Sequence, residues 1–221
     1  MSEKEPLANE KQLLQRELWL KPGLPFESIT DRQLCLGDFK VNKGLGQGAY
    51  GKVVSVFSKQ SKQEYALKVV SKKMIEQLRM VSQLRNEVQI MTTLNHPNIV
   101  KLLTHFEDQK NIYFIMELAE EGHLYSRLKK VGKFEPKQAA KYLFDIFQAV
   151  NCLHEQQPPI IHRDIKPENI LFFGETLKLA DFGWSNINQE KTRMTFCGTP
   201  DYLAPEMIME KGKLVGRRFN R

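Results

Sequence analysis

At 221 residues, 41% hydrophobic and 27% charged, the chain can hold one large or two small globular domains and is too apolar for a disordered class. Its net charge of +7 does not mark a nucleic-acid or membrane binder, because Lys211, Lys213, Arg217, Arg218 and Arg221 supply most of it from the tail. Cys35, Cys152 and Cys197 lie far apart without C-x-x-C spacing, which argues against a disulfide framework or zinc site, and no apolar run approaches the ~20 residues of a membrane span.

Residues 1–32 mix charge, Gln, Pro and Gly, and read as a flexible leader with a short amphipathic helix over 12–20 that uses Leu13, Leu14, Leu18 and Trp19. From Phe39 the pattern turns strand-like. KVVSVF and EYALKVV alternate apolar positions on either side of the turn-like SKQSKQ, which predicts an antiparallel meander. Residues 72–94 take helical spacing, with Leu84, Val88 and Met91 on one face, and His96-Pro97-Asn98 closes the segment before the apolar runs IVKLL and IYFIMEL. A domain boundary is expected near 119–122. Beyond it, residues 136–154 predict a helix whose apolar stripe is Ala139, Leu143, Ile146, Phe147, Val150 and Leu153. Short strands NILFF and LKLA follow, then a polar stretch over 186–199, with no internal repeat.

The chemistry begins at GQGAYGKV. Gly46, Gly48 and Gly51 between two predicted strands let backbone N–H groups approach phosphate oxygens, while Val53 offers an apolar lid for a base; alone, such a hairpin is more often only a turn. Lys68, in the strand segment Ala66-Leu67-Lys68, needs a counter-charge if buried, and Glu87 on the striped helix is the candidate; the bland alternative is a surface lysine. His96, His105, His123 and His154 are scattered without metal-ligand spacing and read as structural or solvated.

HRDIKPEN over 162–169 and DFG over 181–183 complete a series. GxGxxGxV, A-x-K, HRDxKxxN, DFG and APE occur in the order and spacing of the eukaryotic protein kinases, which residues 39–209 therefore resemble. DFGWS, QLRNEV, HPNIVKL and TFCGTPDYLAPEM are similar to the Aurora kinases. The resemblance implies an α+β, kinase-like bilobal fold: a small antiparallel β lobe with one helix over 33–119 and a mainly helical large lobe over 120–209, incomplete after APE. It implies a serine/threonine kinase using ATP and magnesium. Asp164 would orient the substrate hydroxyl and accept its proton, Lys166 would neutralise the transferred phosphate, Lys68 and Glu87 would position phosphates, and Asn169 and Asp181 would ligate magnesium. Leu45, Gly46, Gly48, Gly51, Val53, Ala66, Lys68, Leu171 and the hinge residues Met116, Glu117 and Ala119 would hold ATP. Thr195 would be the activation-loop phosphosite, paired with Arg163 when phosphorylated, and Phe182 and Trp184 would be regulatory. Met91, Leu102, His162 and Phe182 would stack as an apolar spine.

The resemblance further implies protein substrates with basic residues near Ser or Thr, an activator peptide on the small lobe, no direct nucleic-acid or membrane binding, and mitotic roles in cytoplasm and nucleus at spindle, centrosome or chromosomes. After Met209 the residues 210–221 lack the D-x-W-x-x-G helix expected to follow APE. The tail therefore reads as a mark of truncation, and a second reading stands beside the first: a catalytically impaired fragment that binds nucleotide or activator as an interaction protein.

Overall fold

The computed structural model describes residues 34–47, 51–183, 185–187 and 199–203. The expected leader helix, Gly48, Trp184, Thr195, Cys197, the APE motif and the basic tail lie outside the described residues. Two compact units divide the chain: Met1–Arg85 with Leu102–Leu118, and Asn86–Lys101 with Ala119–Arg221.

The first unit is built on five antiparallel strands, β1 (Phe39–Gln47), β2 (Gly51–Ser58), β3 (Glu64–Ser71), β4 (Leu102–Glu107) and β5 (Asn111–Met116), in the order β1-β2-β3-β5-β4. The Val-rich and aromatic residues that signal strands also fill its core: Val54, Val56, Tyr65, Leu67 and Ile115 pack with Phe39, Phe106 and Tyr113. Phe106 stacks on both Phe39 and Tyr113, at 5.9 and 4.8 Å between centroids, and so ties β1 to the far edge of the sheet.

The single helix expected over 72–94 is two. α1 (Lys72–Gln77) is capped by Ser71, whose hydroxyl accepts from the Met74 amide, and ends at Leu78. Arg79 then turns left-handed, with φ of 55°, before α2 (Val81–Thr93) begins. The sequence does not register that break, because no Gly or Pro marks it over 72–94. Leu84, Val88 and Met91 are buried as the spacing predicts.

In the second unit, α3 (Leu124–Val131) starts at His123, whose Nδ1 accepts from the Ser126 amide, and stops at Gly132, with φ of 78°. α4 (Pro136–His154) opens with proline at its first position, where a missing N–H costs nothing. The buried face of α4 is Tyr142, Ile146, Ala149 and Leu153. This corrects the predicted stripe: Leu143 and Phe147 are 56% and 66% exposed, together with Phe144 at 62%, because the helix is rotated to set Tyr142 edge-on against Phe172. β6 (Ile160–Ile161) pairs with β9 (Asn186–Ile187), and β7 (Ile170–Phe173) forms a hairpin with β8 (Thr176–Leu179) around Gly174, with φ of 62°. Asp145 of α4 accepts from the Leu177 amide at 2.9 Å, which fixes the helix against that hairpin. The architecture is the expected α+β one, with a five-stranded antiparallel sheet in the first unit and helices with short strand pairs in the second. Among the described residues no helix is long and apolar enough to cross a membrane.

Candidate active site

Between β6 and β7 the backbone leaves regular structure, and the chemistry-bearing side chains collect there. Asp164 is 4% exposed, a costly place for a carboxylate unless every lone pair is satisfied. Four donors reach it. Oδ1 accepts from the Thr199 amide at 3.1 Å and the Thr199 hydroxyl at 2.8 Å, and Oδ2 accepts from Asn169 Nδ2 at 3.0 Å and Lys166 Nζ at 2.9 Å. Burial pushes the Asp164 carboxyl up, but Lys166, Thr199 and Asn169 outweigh it and hold the group below the usual carboxylate range. It is an anion at neutral pH.

The three-residue turn Pro167–Asn169 places Asn169 behind that carboxylate. Its Nδ2 also donates to the Asp164 carbonyl, so the amide nitrogen is committed and the amide oxygen is the atom left to ligate. Lys166 Nζ reaches both Asp164 and Thr199 Oγ1, the latter at 2.7 Å, so that one hydroxyl accepts from the ammonium while donating to the carboxylate.

His162 supports the loop from below. Its Nδ1 accepts from the Asp164 amide at 3.3 Å, which leaves the proton on Nε2 to donate to the Ala180 carbonyl at 3.1 Å. Burial holds its imidazole below the ordinary histidine range. The ring meets Phe182 edge-on at 5.0 Å, and the Ala180 amide returns a bond to the Asn169 carbonyl at 2.8 Å. The HRD and DFG segments are therefore bolted together. Arg163 and Asp181 both hold left-handed backbones, with φ of 65° and 60°, a strain that persists only where neighbours over-determine it. The Asp181 carboxylate is on an exposed residue and accepts from the Gly183 amide at 3.3 Å.

Of the predicted residues, Asp164, Lys166, Asn169, His162 and Phe182 are brought into this one network. Leu171 lies half-buried on β7, bridged to His123, and Glu87 is 4% exposed on α2. Of the predicted spine, Met91 and Leu102 are buried in separate units, while His162 and Phe182 touch.

The first unit holds its own set. Lys68 on β3 pairs with Val53 on one side and Phe114 on the other, and buried Ala66 pairs with Met116 at the end of β5, from which Glu117 continues half-buried; Ala119, also half-buried, belongs to the second unit. Leu45 is 40% exposed on β1. The two described glycines of the turn differ. A Cβ on Gly51 would lie 2.2 Å from the Val69 carbonyl oxygen, so packing demands glycine there; a Cβ on Gly46 would meet nothing within 4 Å. At Gly46 neither contact nor a left-handed backbone requires glycine, and the open space fits close approach by a phosphate-bearing ligand.

Magnesium fits the donors present. Among the described residues no group of three or more His, Cys, Asp or Glu could hold a metal, but magnesium takes one or two protein oxygens and completes its shell with phosphate and water. The Asn169 amide oxygen and the Asp181 carboxylate are such donors. Histidine elsewhere is structural: His96 and His123 each accept a backbone N–H through Nδ1.

Thr199 is the functional residue that motif reading missed. Its sequence signal is slight, a hydroxyl residue before Pro200 inside CGTPDYLAPE, and only the fold carries it back 35 positions to Asp164.

The protein kinase domain family matches residues 39–218. An Aurora kinase of Candida glabrata is 46% identical over 184 residues, 82% of this chain and 51% of the relative. An Aurora kinase of Saccharomyces cerevisiae is 45% identical over 179 residues, 80% and 48%, and Aurora kinase B of Xenopus tropicalis is 43% identical over 185 residues, 83% and 51%. The chain spans about half the length of the curated relatives it matches.

Proposed function

Because the chain belongs to the protein kinase domain family, we propose that it transfers the γ-phosphate of ATP to serine and threonine hydroxyls of proteins, as a kinase of Aurora type. The observation that carries this reading is the Asp164 carboxylate, kept anionic in a buried site by Lys166, Thr199 and Asn169. With four donors its lone pairs are filled, so an incoming substrate hydroxyl must displace one, and the neutral Thr199 amide, at 3.1 Å the longest of the four contacts, is the least costly to release while the Thr199 hydroxyl stays in place. Asp164 then orients the substrate oxygen and takes its proton as that oxygen bonds to the γ-phosphorus. The bond to the β–γ bridging oxygen breaks, and ADP leaves with its electron pair. Lys166, already beside the carboxylate, offsets the charge spread over the transferred oxygens. Magnesium, when bound through Asn169 and Asp181, would add the charge neutralisation that the phosphates require.

For the nucleotide, the first unit contributes the backbone at Gly46, Gly48 and Gly51, the apolar surfaces of Leu45, Val53 and Ala66, the Lys68 ammonium, and the Met116 and Glu117 backbone. Ala119, Leu171 and Glu87, the proposed counter-charge of Lys68, are added by likeness to the kinase family alone. Thr195 is the proposed phosphosite, with Arg163 as its partner and Phe182 and Trp184 as regulatory neighbours. Substrates carrying basic residues near the acceptor hydroxyl, an activator peptide on the first unit and a mitotic location follow from likeness to the Aurora kinases.

The test is transfer of radiolabelled phosphate from ATP to a basic peptide by the full chain. Asp164→Asn is expected to reduce the rate by about 10²- to 10⁴-fold and Asp181→Ala to abolish it. Wild-type transfer no greater than the Asp181→Ala control would sink the proposal. A second reading, a nucleotide- or activator-binding protein with impaired catalysis, is favoured by the exposed Leu143, Phe144 and Phe147 face. Nucleotide binding without transfer would select it.

A further inference from the structure

Positive charge in the second unit gathers at one corner. Residues 127–141 hold Arg127, Lys129, Lys130, Lys133, Lys137 and Lys141 against the single acid Glu135. Arg127 is spent within the fold: it pairs with Glu121, and its guanidinium lies over the Phe172 ring at 3.8 Å. The five lysines are all exposed.

Local helix energetics account for only part of this. Lys129 and Lys130 stand in the last turn of α3, where cations complement the carbonyl end of the helix. Lys137 is placed the opposite way. It lies in the first turn of α4, which contains no acid, beside the positive end of the helix dipole. Lys141 follows one turn later on the same face and among the described residues pairs with Glu175, itself 91% exposed. Glu135, at the N-cap, makes no side-chain capping bond that would justify the arrangement. Lys133, in the connection between the helices, completes a ridge that the fold itself does not use.

We propose that the α3–α4 corner is a docking surface for an Asp- and Glu-rich segment of a partner protein, read by Lys130, Lys133 and Lys137. Charge complementarity selects the sign of the partner. Val131, 53% exposed amid the lysines, selects a peptide by offering contact to an apolar side chain. Nucleic acid fits less well. The Phe134 ring is turned edge-on to Tyr142 at 5.2 Å and is only half-buried there, and the one arginine fork of the corner is already occupied. The surface uses none of the phosphoryl-transfer residues and serves recruitment of a partner rather than chemistry.

The test is fluorescence anisotropy on the full chain with a short fluorescein-labelled peptide of Glu and Asp around a central Val, beside its Gln and Asn analogue. The acidic peptide is expected to bind and the neutral one not, with affinity falling as salt rises. Charge reversal at the ridge (K130E, K133E and K137E together) is expected to weaken binding by about tenfold or more. Reversal of the five tail cations is expected to leave it unchanged. Lys137→Glu alone separates docking from structure, since it should weaken binding while raising the midpoint of thermal unfolding through a better helix start. Equal binding by the ridge variant, loss of binding in the tail variant, or tighter binding of labelled oligothymidylate or duplex DNA than of the peptide would each overturn the proposal.

Discussion

A single hydroxyl, that of Thr199, joins both working charges of the catalytic loop, donating to Asp164 and accepting from Lys166. Hydrogen bonds to charged groups contribute roughly 1.5–3 kcal/mol, so Thr199→Val is expected to lower the transfer rate by about ten- to a hundredfold, with Thr199→Ser close to wild type. A pH–rate profile distinguishes this from general damage. Losing a donor that favours the anion must raise the Asp164 carboxyl, so the acid limb of kcat/KM should move to higher pH in the valine variant. An unmoved limb would mean that Thr199 does not act through Asp164. That Asp164, Lys166 and Asn169 would gather was legible through the resemblance that HRDIKPEN carries, and the side chains do meet. Thr199 was not, since nothing local in a threonine before a proline says which distant carboxylate it will meet.

At the level of elements, the glycine turn separates two reasons for the same residue. Gly51→Ala is expected to cost the first unit roughly 1–3 kcal/mol, because its Cβ would press on the Val69 carbonyl of β3, an immovable neighbour. Gly46→Ala should leave thermal stability unchanged and weaken ATP binding, measured by nucleotide titration; equal ATP affinity would remove Gly46 from the nucleotide site. The break between α1 and α2 gives a third case. Arg79→Gly relieves a left-handed backbone at a position already outside both helices, and a rise in stability of about 0.5–1 kcal/mol is expected in chemical denaturation. Strand alternation foretold the sheet, and helical spacing foretold α2 and α4. The helix break at Arg79 escaped detection because left-handed residues other than glycine carry no signature. The face of α4 escaped it for another reason. Apolar residues occur on two sides of that helix, and the contact of Tyr142 with Phe172, distant in sequence, decides which side is buried.

Across the whole molecule, protonation and wet apolar surface set the stability. His162 and His105 are both held below the ordinary histidine range by burial, so the unfolded chain binds more protons than the folded one as pH falls through about 6.5. Stability should therefore decline from pH 7 toward pH 5, by at most about 1.4 kcal/mol per pH unit for each histidine. Asp164 works lower down: its depressed carboxyl stabilises the fold above the unfolded value near 4 and that contribution is lost as pH falls through the folded one. A midpoint of thermal unfolding that stays flat or rises between pH 7 and 5 would contradict the histidine assignment. On the outside, Phe144→Gln with Phe147→Gln should change stability by less than about 0.5 kcal/mol and reduce self-association in sedimentation, because both rings face water. A large loss of stability would show that the face is covered.

The Thr199–Asp164 bonds have one more consequence, which lies in the chain between them. They close a loop of 35 positions, part of which, the β7–β8 hairpin, is already folded, so the chain entropy that closure costs is smaller than for a free loop of that length. Any modification or partner that narrows the freedom of the intervening residues lowers that cost, and any that widens it raises it. The Asp164 carboxylate, which touches Lys166 and Asn169 at the near end of that chain, thus also answers to the conformational freedom of the rest of it, through an entropic tether anchored by one threonine.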